Sequence, residues 1–220
     1  NYNFVEALKY LAERAGVRLP EEEFSKEARA SADLKSRLLE IQKRAASFYY
    51  YQLWQESGRQ GLDYLKNRQL SDETIKKFGL GYSPKYSGTL YKYLKSKGYT
   101  DELLKESGLF HIEERRGMQD KFWNRVMFPI MDVNNRVIGF GGRVMGEGEP
   151  KYLNSPETRL FDKSRSLYGL NYARTTREKF MLICEGYLDV ISLHQAGFTN
   201  AVASLGTAFT SQHAGILKRY

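Results

Sequence analysis

The sequence has a single cysteine, Cys184, and only three histidines in 220 residues. One thiol cannot form an internal disulfide, and scattered histidines offer no Cys/His spacing for a structural zinc site. We therefore expect a reducing, cytoplasmic environment. We also expect a hydrophobic core to hold the fold together, because a chain of this length can bury one without covalent cross-links.

Long apolar runs are also missing. No stretch approaches the roughly 18 apolar residues that a membrane-spanning helix needs. The most concentrated apolar segment, residues 180–184, has the length of a strand. No signal peptide is visible, so the sequence predicts a water-soluble globular protein with no membrane partner.

Helical periodicity dominates the first half of the chain. It predicts helices at residues 3–16, 33–53, 62–68, 71–78, 89–97 and 101–107, with Ser71 as an N-cap. Strand-like alternation then appears around Val126 and Val137, on either side of a turn at Asn134 and Asn135, which predicts a β-hairpin. Gly139, Gly141 and Gly142 lie inside or at the end of the second arm, where missing side chains indicate a bulge or the close approach of another backbone or a ligand.

The last forty residues read as strand, helix, strand, helix, at residues 180–184, 187–196, 200–204 and 211–220. This order predicts neighbouring parallel strands with a right-handed crossover. The fold class is therefore α+β. We expect a helical and mixed β-hairpin subdomain over residues 1–165, followed by the first βαβα part of a parallel-sheet domain over residues 166–220.

Two carboxylates follow the first parallel strand. Glu185 falls at its carboxyl end, Gly186 permits the turn, and Asp189 lies one helical turn further on. Ligands of open α/β sheets bind at that edge, and two carboxylates could hold one divalent cation or exchange a proton. The alternative is that both only favour the helix N-terminus. Residues 204–208, after the second strand, could likewise cradle a phosphate or simply form a tight loop.

Basic residues exceed acidic ones, 34 against 26, for a net charge of +8. Several of them alternate with aromatic residues after position 121, as in a groove for single-stranded nucleic acid, although basic loops are also common on ordinary surfaces. The basic members are Arg125, Arg136, Arg143, Lys151, Arg159, Lys163 and Arg165, and the aromatic members are Phe122, Trp123, Tyr152, Phe161 and Tyr168.

Taken together, these segments resemble the bacterial DNA primases of the DnaG type, which have a Toprim catalytic fold. Six blocks appear in the family's order and spacing, at residues 125–130, 136–143, 150–158, 167–170, 185–190 and 201–208. Residues 4–16 and 79–82 look similar too, so the resemblance covers nearly the whole chain. It favours a Toprim-type sheet for residues 166–220.

The resemblance implies template-directed synthesis of short RNA primers on single-stranded DNA from ribonucleoside triphosphates, with Mg²⁺ or Mn²⁺. It also implies that Glu185 is the catalytic Toprim glutamate and a metal ligand, with Asp189 beside it. Arg125, Arg143, Lys151, Asn154 and Lys163 fall where the family binds template and nucleotide. The implied setting is the cytoplasm, at the replication fork.

The chain departs from the family in what it omits. The family's later Asp-x-Asp pair, its zinc module and its helicase-contacting domain are not found in this sequence. We therefore expect a piece of a longer protein that keeps part of the DNA groove but makes no RNA alone. Two alternatives stay open, namely another Toprim enzyme, such as a topoisomerase or nuclease, and a non-catalytic module that binds single-stranded DNA.

Overall fold

A computed structural model describes residues 11, 12, 14, 15, 21–206 and 208–220. The predicted helix at residues 3–16 falls for the most part outside the described residues. The chain divides into two compact units, residues 1–37 and residues 38–220. All of the predicted site residues belong to the second unit.

Between residues 21 and 110, all of which the structure describes, the α-helices are α1 Glu21–Leu53, α2 Arg59–Asn67, α3 Asp72–Lys77, α4 Thr89–Ser96 and α5 Asp101–Glu106. The prediction placed the start of α1 too late, because residues 21–32 carry helix-forming Glu, Ala, Lys and Arg without an apolar period. The predicted cap of α3 is confirmed, since Ser71 Oγ accepts a hydrogen bond from Thr74 N at 3.1 Å.

The strands before residue 160 are β1 Gly81–Ser83, β2 Phe110–Glu113, β3 Gly117–Asp120, β4 Arg125–Met131, β5 Val137–Val144 and β6 Tyr152–Asn154. Four of them form one antiparallel sheet in the order β1-β4-β5-β6, whereas β2 and β3 form a separate hairpin. The predicted β4–β5 hairpin is confirmed, with Phe128 opposite Gly141. The three-residue strands β1 and β6 and the β2–β3 hairpin were not predicted.

The remaining elements are α6 Leu170–Ala173, β7 Leu182–Cys184, α7 Tyr187–Gln195, β8 Ala201–Ala203 and α8 Ser211–Leu217. Strands β7 and β8 are parallel, with Ile183 opposite Val202, so the predicted βαβα series and the α+β fold class are confirmed. Tyr168 adds an antiparallel bridge beside β8 through a 2.8 Å bond from its backbone N to Ala203 O. The subdomain boundary after residue 165 stays a prediction.

The antiparallel sheet and the β7–α7–β8 segment share one hydrophobic core. Phe128 from β4, Tyr187 and Val190 from α7, and Ala203 from β8 are buried in the same cluster. Burial of these side chains is the main stabilising contribution to their contact. It also brings the carboxyl end of β7 beside β6. In the part of the chain with described coordinates, no helix is long and apolar enough to cross a membrane.

His194 of α7 is buried against the end of β8. Its Nε2 lies 2.9 Å from Ala201 O and must donate, because a carbonyl oxygen only accepts. Nδ1 is then the unprotonated nitrogen, and it is buried with no partner among the described groups. Burial lowers the pKa of His194 below its ordinary 6.5, and nearby Lys77 acts in the same direction.

We predict that the free energy of unfolding falls as the pH drops below about 6.5, because the unfolded chain then binds a proton that folded His194 resists. His194→Gln keeps a donor for Ala201 O and cannot titrate, so it should flatten this fall. Urea unfolding between pH 5 and 8 measures this dependence of the free energy of unfolding on pH, and His111→Gln, at an exposed histidine, is the control. An unchanged slope in His194→Gln would show that another group causes the dependence.

Candidate functional site

Glu185 and Asp189 flank the turn between β7 and α7. Glu185 is exposed directly after the last residue of β7. Asp189 Oδ2 accepts a hydrogen bond from Gly186 N at 3.1 Å, which closes the first turn of α7. Asp189 therefore caps the helix with one carboxylate oxygen. Helix capping and a ligand role at the same edge are compatible.

Both carboxylates line a cleft of about 360 Å³ at the edge of the parallel pair. The rest of its wall comes from β6, from the start of α7, from the loop after β8, and from the end of α2. These lining residues are Arg68, Tyr152, Asn154, Gly186, Tyr187, Leu188, Ser204 and Gly206. The structure thus brings Glu185, Asp189 and Asn154 to one cleft, and the loop after β8, for which the sequence left a phosphate site and a tight turn open, lines the same cleft.

Arg68 is a cleft residue that the sequence reasoning missed. It directly follows α2, and its guanidinium carbon lies 5.6 Å from the centre of the Tyr64 ring. Nothing in the local sequence distinguishes Arg68 from the other exposed basic residues of the helical half. Only the folded chain shows that Arg68 lines the same cleft as the two carboxylates.

Tyr187 anchors the Glu185 turn to the antiparallel sheet. Its ring stacks on Phe128 at 4.9 Å with an interplanar angle of 10°, and it meets Tyr168 edge-on at 4.7 Å. Burial raises the pKa of Tyr187, so its hydroxyl stays protonated and can donate. A Cβ atom at Gly141 would lie only 2.6 Å from Tyr187 Cε2, so the group that approaches this glycine is a side chain, and not the backbone or ligand that the sequence analysis expected.

Arg143 lies on a second cleft of about 550 Å³, where Arg59, Asp63 and Tyr64 of α2 face the end of β5. Its guanidinium carbon is 4.2 Å from the centre of the Tyr64 ring, which is a close cation–π geometry. Burial raises the pKa of Tyr152, with Tyr64 adding to the shift and Arg143 opposing it. Tyr152 lines the Glu185 cleft and interacts with Tyr64 and Arg143 of the second cleft, so it connects the two.

The other predicted basic residues lie outside the lining of the Glu185 cleft. Arg125 is 4% exposed, and its Nη1 donates to the carbonyls of Gly142 at 3.2 Å and Pro150 at 2.9 Å. Burial lowers its pKa. Lys151 is exposed next to Tyr152, and half-buried Lys163 begins a short 3-10 helix.

Several residues of the predicted groove have other partners. Phe122, Phe161 and Tyr168 are buried in the core, so the expectation that they stack on bases was wrong; their rings fill space between strands and helices. Trp123 and Tyr152 are 45% and 42% exposed and remain available for stacking. Three of the arginines form ion pairs, namely Arg136 with Asp132, Arg159 with Glu106 and Arg165 with Asp162.

The cleft has donor atoms that suit a hard divalent cation. Mg²⁺ is commonly held by one or two carboxylates, with water and substrate phosphates completing the shell. Glu185 and Asp189 provide that number, and both side chains are exposed. Across residues 21–206 and 208–220 and the few described before them, no three His, Cys, Asp or Glu side chains come close enough to hold a metal ion alone.

Comparison with known proteins gives consistent matches. A family model for the N-terminal domain of the DNA primase catalytic core matches residues 48–174, and a Toprim domain model matches residues 179–220. A DNA primase of Clostridium acetobutylicum is 42% identical over 221 residues, covering 100% of this chain and 36% of that protein. The chain thus spans about a third of the length of this relative.

Two solved structures are also similar. One is the RNA polymerase domain of Mycobacterium tuberculosis primase DnaG, in complex with double-stranded DNA that has a 6-nucleotide overhang. Its TM-score is 0.80 at 38% identity, over 84% of this chain and 59% of that one. The other is a DnaG primase catalytic domain bound to single-stranded DNA, with a TM-score of 0.78 at 41% identity, over 86% and 59% of the two chains.

We predict that Gly141→Ala destabilises the fold by about 1–3 kcal/mol, because its Cβ would overlap the Tyr187 ring. Gly215→Ala is the matched control, since a Cβ there meets nothing within 4 Å. In helix α8 this control should be stabilising by about 0.5–1 kcal/mol. Urea unfolding measures both, and equal effects of the two variants would contradict the close packing of Tyr187 on β5.

Proposed function

The chain belongs to the family of bacterial DnaG-type DNA primase catalytic cores, and we propose that it carries the nucleic-acid groove and the first part of the polymerising site of a primase. In this proposal the whole protein synthesises short RNA primers on single-stranded DNA from ribonucleoside triphosphates. The observation that carries it is Glu185, which is exposed at the carboxyl edge of a parallel strand and lines a cleft together with Asp189 and the basic residue Arg68.

We assign Glu185 and Asp189 as the protein ligands of Mg²⁺ or Mn²⁺, with Glu185 as the catalytic carboxylate. A bound divalent cation would supply positive charge where negative charge develops on phosphoryl oxygens. Arg68, across the cleft, is placed to neutralise a triphosphate or a strand phosphate. An acidic side that binds the cation and a basic side that binds phosphate are both needed for nucleotidyl transfer.

The remaining basic residues form the proposed path for the template. We include in this path Arg143, which lies over the Tyr64 ring, exposed Lys151, which precedes Tyr152 of the Glu185 cleft, and Lys163 on a separate loop. Arg125 would contribute to this path indirectly, because its hydrogen bonds to the carbonyls of Gly142 and Pro150 hold the segment that carries Lys151. Two similar primase structures contain bound DNA, which supports a DNA-binding function for this chain.

Glu185→Gln should reduce primer synthesis by about a hundredfold or more in a full-length primase that carries this segment. The amide cannot supply the negative charge that a cation needs, whereas binding of single-stranded DNA should be unchanged. Glu114→Gln, at the tip of the β2–β3 hairpin, is the matched control for loss of charge. If Glu185→Gln kept full primer synthesis, this chain would be better interpreted as a non-catalytic module that binds single-stranded DNA.

The same synthesis assay applied to the 220-residue chain tests the expectation that it binds DNA but makes no primer. Robust RNA product from this chain would contradict that expectation.

Lys151→Ala should weaken binding of all single-stranded DNA sequences alike, because phosphate contacts carry no base information. The slope of log K against log salt should become shallower by about 0.7 for the lost phosphate contact. Fluorescence anisotropy at several salt concentrations measures this slope, with exposed Lys92→Ala on α4 as control. An unchanged slope would remove Lys151 from the groove.

A further inference from the structure

Asn154, at the end of β6, has hydrogen-bonding partners at both ends of its side-chain amide. Its Nδ2 donates to Leu205 O at 3.1 Å, in the loop after β8. Its Oδ1 accepts from Tyr187 Oη at 2.6 Å, in the first turn of α7. The assignment is unambiguous, because Leu205 O can only accept, so the amide nitrogen must face it and the amide oxygen must face the tyrosine.

Each partner of Asn154 belongs to a different wall of the cleft. Tyr187 lies two residues after Glu185, and its ring has little freedom between Phe128 and Tyr168. Leu205 lies in the loop that presents Ser204 and Gly206 to the same cleft. One amide group therefore joins the carboxylate turn, the second loop and the edge of the antiparallel sheet.

Gly206 shows how closely the loop fits against this amide. Its φ is +75°, in the left-handed region that glycine adopts without strain. A Cβ atom at this position would lie 2.7 Å from Asn154 Nδ2. Both the backbone conformation and the limited space beside Asn154 thus favour glycine here.

We propose that Asn154 is a positioning residue, which sets the distance between the Glu185 turn and the Ser204–Gly206 loop by bonding to both. Its amide is then used within the protein and is not a direct contact to nucleic acid. This inference deepens the proposed function and rests on it, since the two walls it holds are those of the proposed cation and phosphate site. Partners of this kind orient metal ligands without touching the metal.

The test uses the 220-residue chain with Mn²⁺ as the probe. Tyr187→Phe removes one hydrogen bond and keeps the ring, Asn154→Ala removes both bonds, and the double variant combines them. Tyr172→Phe is the matched control, because Tyr172 is another tyrosine whose hydroxyl donates to a backbone carbonyl, that of Lys77, away from the cleft. Electron paramagnetic resonance measures Mn²⁺ affinity, and amide hydrogen exchange follows residues 204–206.

We expect Tyr187→Phe to weaken Mn²⁺ binding by about tenfold and to speed exchange at residues 204–206, which Tyr187 does not bond directly. Asn154→Ala should have the same two effects. The double variant should bind Mn²⁺ as tightly as Asn154→Ala alone, because both substitutions act through one network. Tyr172→Phe should move neither measurement. Binding of single-stranded DNA should keep its salt slope in Asn154→Ala.

Two results would overturn the proposal. One is normal exchange at residues 204–206 in Tyr187→Phe. The other is a loss of DNA affinity in Asn154→Ala, with a shallower salt slope and unchanged Mn²⁺ binding, which would make Asn154 a nucleic-acid contact. The variant Glu185→Gln distinguishes failure of the proposed function from failure of the proposal about Asn154. If it leaves Mn²⁺ affinity unchanged, the metal assignment fails, and the exchange measurement alone then decides whether Asn154 couples the two walls.

Discussion

The packing of Tyr187 between the two sheets is the contact on which the rest of the site depends. The ring lies parallel to Phe128 of the antiparallel sheet, and the absence of a side chain at Gly141 makes room for it. Because Tyr187 begins the helix that follows Glu185, this buried ring determines where the exposed carboxylate stands. A charged side chain in water has little positional preference of its own, so the precision of the cleft comes from apolar packing beneath it.

The same arrangement explains why the two carboxylates share a cleft with Arg68 and lie near the basic residue Arg143 of the antiparallel sheet. The carboxylates come from the carboxyl edge of a parallel strand, where the chain turns into a helix. The cations come from the helical half and from the antiparallel sheet, which belong to other parts of the sequence. Packing of the β7–α7–β8 segment on that sheet brings the two sets together. Arg143 links α2 to the antiparallel sheet, since its guanidinium lies over Tyr64 of α2 and interacts with Tyr152 of β6.

Sequence patterns predicted the elements whose signals are local. The Ser71 cap, the β4–β5 hairpin and the βαβα series each follow from spacing and turn residues within a few positions, and the motif around Glu185 identified the sheet edge. The short strands β1 and β6 have no such signal, because partner strands distant in sequence define them. Tertiary packing likewise decided the burial of Arg125 and the place of Arg68 in the cleft, and neither residue type nor spacing could reveal either.

The most direct measurement of the central claim is a crystal structure of this chain grown with Mn²⁺ and a short single-stranded DNA, phased to show the anomalous signal of the metal. We predict an anomalous peak within coordination distance of the Glu185 carboxylate, about 2.0–2.4 Å. We also predict that the strand passes Tyr152 and Arg143. A peak remote from Glu185, or DNA on the opposite face with this cleft untouched, would contradict the assignment of the cleft as the polymerising site.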